Sequence, residues 1–288
     1  MTPTHDAFDI WQSALRIGRV ALKVRDLDKV TEFYKKTLGL RRLSSSVDRV
    51  TLGSAKTALL ELIATPSAKP RDPRNAGLFH IAFLLPSRAA LGAWLAQVMK
   101  NRLPVQGASD HIVSEAIYLA DPEGNGIEVY ADSPLSQWHD ASGNLLMGTK
   151  PLDAEKLLLS AQDSTWSGFP DDGLIGHMHL QVGDVDRAEP FYRDILGFGV
   201  MKQRPEATFF GSDGYHHHLA CNSWNSRGAG MRSTDAAGLA SFDILVRSLE
   251  EMAAILARAS RAGIAFDHED ETASINDPWG NRINLVAA

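Results

Sequence analysis

Apolar and polar residues alternate through Arg19–Val24, where Val20, Leu22 and Val24 share one face of a predicted strand. Asp28 follows where an N-cap belongs, ahead of an amphipathic stretch, Val30–Thr37, that stops at Gly39. Further along, the alternating runs Glu115–Ala120 and Gly126–Tyr130 flank an Asp-Pro-x-Gly-Asn turn. Strand, helix and three strands in that order make a βαβββ unit.

The unit recurs. Residues 17–39 read IGRVALKVRDLDKVTEFYKKTLG and residues 175–197 read IGHMHLQVGDVDRAEPFYRDILG. At one constant offset the two share Ile-Gly, Leu22/Leu180, Val24/Val182, Asp26/Asp184, Asp28/Asp186, Phe-Tyr and a closing Leu-Gly. A turn and two amphipathic faces match together, which makes chance a poor explanation. A weaker repeat joins Gly77-Leu78 to Gly238-Leu239, and Asp121–Asn125 to Asp277–Asn281. The chain therefore reads as four modules at 16–66, 77–132, 174–226 and 238–288. The expected division is a first domain at 1–132, a linker at 133–173 carrying a short helix at Asp153–Ala161, and a second domain at 174–288. The fold class is α+β, with modules pairing so that curved mixed sheets enclose clefts.

Alternation also sorts side chains by face. Phe79, Ile81 and Phe83 are expected on one face and His80 on the other. Ile127 and Val129 oppose Glu128 and Tyr130; Ile117 and Leu119 oppose Tyr118; Met178, Leu180 and Val182 oppose His177, His179 and Gln181. A lone strand histidine is most often a hydrogen-bonded structural residue, a lone strand glutamate a solvated one, and His216-His217-His218 reads equally as a solvated edge. The repeat provides an internal control. His80 corresponds to Ser241, Glu128 to Asn284, Tyr118 to Ser274, His177 to Arg19 and His217 to Leu59. Scaffold residues occur in both copies, whereas metal-capable and proton-transferring residues occur only in modules 2 and 3. His80, Glu128 and His177 together supply two imidazoles and one carboxylate, the facial triad of non-haem Fe(II) oxygenases, which leaves adjacent coordination positions open.

Composition narrows the setting. The 288 residues are 44% hydrophobic and 22% charged, with a net charge of -6, so no basic stripe suggests nucleic acid. No apolar run is long enough to span a membrane, and the N-terminal residues MTPTHDAFDI lack the pattern of a secretory leader. Cys221 stands alone, which excludes an internal disulfide and suits a reducing compartment; a cytoplasmic protein, monomeric or homo-oligomeric, is the expectation. The bland reading of Cys221, a small buried residue, outweighs a catalytic thiol.

The chain resembles the vicinal-oxygen-chelate superfamily, and within it type I extradiol dioxygenases of the catechol 2,3-dioxygenase kind. Ala116–Glu128 is similar to the extradiol signature, which places a tyrosine ten residues before the liganding glutamate. Leu78–Phe83 resembles the strand of one liganding histidine and Ile175–His177 that of the other. The stretch His217–Asn222 resembles the strand with the catalytic histidine. His111, seven residues before Tyr118, resembles the histidine that steadies a substrate oxygen, at a different spacing. The resemblance implies two domains of this type, an Fe(II) cofactor (with Mn, Zn or Ni as alternatives), a small aromatic diol and O2 as substrates, and catalytic roles for His217, Tyr118 and His111.

One departure bears on architecture. The enzymes it resembles place the first-histidine module before the His/Glu module, both in the second half. Here the His/Glu module is the second and the first-histidine module the third. A complete triad then requires module 2 to face module 3, within one chain or between subunits. Two other chemistries suit the scaffold: a glyoxalase-type lyase or isomerase, with one of His216, His217 and His218 as a fourth ligand, and a metal-free ligand-sequestering protein.

Overall fold

The computed structural model describes residues 6–287; residues 1–5, the start of the stretch read for a leader, and Ala288 lie outside the described residues. Module 1 contains β1 (Leu15–Val24), α1 (Leu27–Leu38), β2 (Arg41–Ser45), β3 (Arg49–Gly53) and β4 (Ala58–Ala64). Module 2 contains β5 (Gly77–Leu84), α2 (Arg88–Lys100), β6 (Gly107–Asp110), β7 (Ser114–Ala120) and β8 (Gly126–Asp132). Between the halves lies α3 (Ala154–Leu159), capped by Asp153, whose side chain accepts from the Lys156 amide. Module 3 has β9 (Leu174–Gln181), α4 (Val185–Pro190) running into a π-turn at Phe191–Leu196, β10 (Gly199–Arg204), β11 (Ala207–Gly211) and β12 (Leu219–Asn222). Module 4 has β13 (Gly238–Val246), α5 (Leu249–Arg261), β14 (Phe266–Glu269), β15 (Thr272–Asn276) and β16 (Arg282–Ala287).

These strands form two eight-stranded mixed sheets, ordered β14-β15-β16-β13-β1-β4-β3-β2 and β10-β11-β12-β9-β5-β8-β7-β6. Each sheet takes one module from each half of the chain. The joints are antiparallel, β1 to β13 and β5 to β9, while the first and last strands of every module pair in parallel. Modules 2 and 3 thus share a sheet within a single chain, and modules 1 and 4 share the other. The boundary at residues 133–173 divides the sequence, but hydrogen-bonded sheets cross it.

The halves are held differently. The Asp121 carboxylate accepts from the Glu123 and Asn125 amides and from Asn125 Nδ2, closing the turn, and the Tyr34 hydroxyl of α1 reaches it at 3.4 Å. In the other half Asp277 repeats the arrangement, with the Tyr192 hydroxyl at 2.8 Å. The repeated Phe-Tyr and Asp-Pro-x-Gly-Asn motifs therefore tie modules 1 to 2 and 3 to 4. One apolar core runs through both sheets, from Val20 and Leu22 through Phe83 and Leu180 to Phe242. Full burial of such side chains contributes about 1.5–3 kcal/mol each.

Two local expectations are corrected. The helix caps are Asp26 and Asp184, not Asp28 and Asp186. The side chain of Asp26 accepts from the Lys29 amide and that of Asp184 from the Asp186 and Arg187 amides, so each helix begins before the second aspartate, which then lies in its first turn beside the positive end of the dipole. Phe79 does not share a face with Ile81 and Phe83. The register of β5 against β9 shifts between Leu78 and His80, and this bulge makes Leu78 the core partner of Ile81 and Phe83. Phe79 and His80 both line the cavity described next.

Candidate metal centre

Three adjacent strands carry the donors. Ala82 on the central strand β5 pairs with Glu128 of β8 on one side and His177 of β9 on the other, and His80 lies two residues along β5. Paired residues share a sheet face, so all four side chains point the same way, and the small Ala82 leaves room between the larger three. His80 Nε2 lies 3.0 Å and His177 Nε2 3.4 Å from Glu128 Oε2. One donor atom from each residue falls within 4.8 Å of the others, and all three residues are buried.

These contacts do not satisfy the groups involved. The buried His80 Nε2 has no hydrogen-bond partner despite its 3.0 Å approach to the carboxylate. Burial alone would raise the Glu128 carboxyl, but the facing His177 and His80 reverse this and hold it well below the usual carboxylate range. Burial pushes His177 down to about 4, against the pull of Glu128. The site therefore presents a buried carboxylate between two imidazoles, and a buried anion of this kind calls for a cation. Donors about 2.1 Å from one ion and at right angles to each other stand about 3 Å apart, close to the 3.0 and 3.4 Å between the imidazole nitrogens and the carboxylate oxygen. The residues fit a divalent transition metal.

The approach of the strands depends on Gly176, immediately before His177. A Cβ at that position would lie 1.9 Å from the Tyr130 hydroxyl, which is itself held by the Tyr215 hydroxyl at 2.8 Å. Gly176→Ala is expected to lower stability by about 1–3 kcal/mol, the usual range for overpacking a buried position. Urea denaturation of the metal-free protein measures this, and an unchanged midpoint would show that Tyr130 yields.

A cavity of about 300 Å³ opens over the three donors. His217, His111 and Tyr118 line it with them, so all six residues singled out from sequence face one space. Phe79, Phe209 and Trp224 add aromatic walls. His111 Nδ1 lies 2.9 Å from the Gly148 carbonyl, which can only accept; its proton is therefore on Nδ1, and Nε2 accepts from the Tyr118 hydroxyl at 2.5 Å. Ile112, next to His111, has φ 74°, a left-handed conformation that β-branched residues rarely adopt. Burial, reinforced by the nearby Glu128 charge, pushes the Tyr118 phenol far above its ordinary value and keeps it protonated. Burial and neighbouring imidazoles likewise hold His217 well below the usual histidine value.

Sequence reasoning missed Phe79, through the bulge, and Gly148, because nothing in a linker's composition marks a carbonyl that will meet a histidine 37 residues away. It left His179, His216 and His218 open. His179 lines the cavity with Nε2 held 2.9 Å from Asn222 Nδ2, whereas His218, just ahead of β12, is buried outside the cavity lining and its Nδ1 accepts from the Ser212 amide. Alternation along 216–218 was the available signal.

The equivalent place in the other sheet is filled by an internally satisfied group. Asp243 pairs with Arg19 at 3.6 Å and accepts from Asn284 Nδ2 at 2.8 Å, and Asn284 also reaches Ser241. Elemental analysis should accordingly give about one transition-metal ion per chain, as a single facial set implies. Two ions per chain, lost together on chelation, would contradict this.

Comparison with known proteins agrees with the architecture. The family model described as "Glyoxalase/Bleomycin resistance protein/Dioxygenase superfamily" matches residues 16–129 and again 174–285. The chain is 38% identical over 267 residues to a protein of Bacillus subtilis (strain 168) named catechol-2,3-dioxygenase, covering 91% of this chain and 93% of that one. The crystal structure of a putative dioxygenase from Bacillus subtilis subsp. subtilis str. 168 superposes with a TM-score of 0.67 at 11% identity, covering 96% of this chain and 85% of that one. Glyoxalase I from Zea mays superposes with a TM-score of 0.57 at 16% identity, over 96% and 94% of the two chains, a likeness of fold alone. With the family model matched in both halves and a relative aligned along nearly its whole length, this chain belongs to the glyoxalase/bleomycin resistance protein/dioxygenase superfamily, also known as the vicinal-oxygen-chelate superfamily.

Proposed function

We propose that the protein is an extradiol dioxygenase that opens a catechol ring beside its two hydroxyls, using O2 and an Fe(II) ion held by His80, Glu128 and His177. The observation that carries this reading is the convergence of those three donors, and of no fourth among the described residues, in a cavity that also holds His217, Tyr118 and His111. The relative named catechol-2,3-dioxygenase supports the same class. Fe(II) held by three protein donors would offer its open positions to both catechol oxygens and to dioxygen, and would pass electron density between them.

The chain's own residues have separate tasks in this scheme. Phe79, Phe209 and Trp224 receive a planar ring and exclude water from the reacting face. His217 removes a proton from a substrate hydroxyl and later returns one to the opening product. The Tyr118 hydroxyl, already bonded to His111 Nε2, keeps its oxygen lone pairs for a substrate hydroxyl, and His111 is held in one tautomer by the Gly148 carbonyl. Both atoms of O2 enter the product, so the reaction needs no external reductant.

A lyase of the glyoxalase type, using Zn or Ni, would call for a fourth protein donor, and the group of donors here has three. Anaerobic reconstitution with Fe(II), followed by O2 and a panel of catechols, tests the proposal. The expected result is one O2 consumed per yellow ring-opened product. Activity that requires Zn or Ni and consumes no O2 would overturn it.

A further inference from the structure

The mechanism just described uses His217 but not its neighbour. His216 is fully buried and lies behind the cavity wall, packed against the rings of Tyr215, at 4.1 Å, and Trp138, at 4.9 Å. Its Nε2 is 2.8 Å from Asp132 Oδ1 and its Nδ1 is 2.8 Å from His217 Nδ1. Asp132 also accepts from the Tyr215 hydroxyl at 3.2 Å and lines a separate, larger cleft of about 730 Å³ on its far side. The connection therefore runs from a partly exposed carboxylate, through an enclosed imidazole, to the histidine in the site.

We infer that Asp132 and His216 are positioning residues that fix the ring orientation and tautomer of His217. A carboxylate only accepts, so in a neutral His216 the proton lies on Nε2 and Nδ1 carries a lone pair. Two ring nitrogens 2.8 Å apart need one proton between them, and His217 Nδ1 must supply it. His217 is then left with a bare Nε2, the atom a base needs. When Nε2 accepts a substrate proton, the imidazolium formed is held at Nδ1 by His216, itself oriented by Asp132. This extends the carboxylate–histidine logic of hydrolase triads by one ring. The stretch of module 1 that leads into β4, Thr57-Ala58-Leu59, carries no histidine, so the pair is absent from the copy without donors.

The inference rests on the proposed role of His217, and its test separates the two. Long-range ¹H–¹⁵N spectra of the protein loaded with diamagnetic Zn(II) read the tautomers directly. His217 is expected to be protonated at Nδ1 and bare at Nε2, and His216 the reverse. A wild-type His217 protonated at Nε2 overturns the inference whether or not any catechol is opened. Absence of turnover with the expected tautomers would instead count against the proposed function alone. Kinetics provide the second arm. His216→Leu keeps the ring's packing volume but removes the acceptor, and kcat should fall about 10–100-fold with KM and bound metal nearly unchanged, the size of effect seen for supporting residues around metal sites. His216→Asn, whose side-chain oxygen reaches the position of Nδ1, should recover most of that loss. If asparagine is no better than leucine, or if KM and metal content change instead of kcat, the role of His216 is packing and the inference falls.

Discussion

Replacing His80, Glu128 or His177 by alanine is expected to strip the metal from the protein. Each is one of only three donors in the cluster, and each stands on a different strand of the β8-β5-β9 core of one sheet. Loss of an outer-shell partner alone typically weakens metal binding about 10–100-fold, so loss of a donor should exceed about 100-fold. Glu128→Ala should be the most severe, because it removes the sole negative charge of the three. In the metal-free state the same substitution relieves a buried carboxylate that lacks a fixed cation, so the apo protein should keep or gain stability while the metal-loaded protein loses it. Metal content after gel filtration, together with melting curves taken with and without metal, tests both halves. A variant that keeps one ion per chain would remove that residue from the ligand set.

His217→Gln and Tyr118→Phe are expected to give the opposite phenotype, with metal retained and catechol still bound but turnover reduced by about 10²–10⁴-fold, the usual cost of losing a general acid/base. The glutamine side chain is polar and can occupy much of the same space, so the fold should survive. Tyr118→Phe removes the partner of His111 Nε2 and should lower turnover less than His217→Gln, since Tyr118 is asked to hold an oxygen rather than to carry a proton. Single-turnover kinetics under controlled O2, alongside iron content, separate the two variants from the donor substitutions. Loss of iron in His217→Gln would make His217 a fourth ligand and favour lyase chemistry. Unchanged turnover on every active catechol would leave the acid/base to be sought elsewhere, His179 being the other cavity histidine on β9 whose ring lies beside His80.

Much of this molecule is determined locally and is legible without a structure. Period-two alternation placed Glu128 and Tyr118 opposite Ile127, Val129, Ile117 and Leu119, because a strand has no other way to divide its side chains. The repeated Phe-Tyr and Asp-Pro-x-Gly-Asn motifs marked four equivalent modules, and the structure explains their retention: Tyr34 and Tyr192 bond to the turn aspartates of the following modules. The same comparison marked residues that the repeat does not need, and those residues line one cavity.

Tertiary structure decided what periodicity leaves degenerate. Four modules with similar first strands have interchangeable edges, and no local pattern specifies that β5 joins β9 while β1 joins β13. That choice brings His177 beside Glu128 across Ala82, at residues far apart in the chain. The bulge at Leu78–His80 arises from the same joint, where one extra residue on β5 turns Phe79 toward the cavity; a bulge is a property of a strand pair and cannot be read from one strand. The Gly148 carbonyl on His111, and Asp132 on His216, are likewise meetings of distant segments. Side-chain chemistry and face were thus set by the chain itself, whereas the distances that make a cluster of donors, or order a row of imidazoles, exist only once two halves of the chain share a sheet.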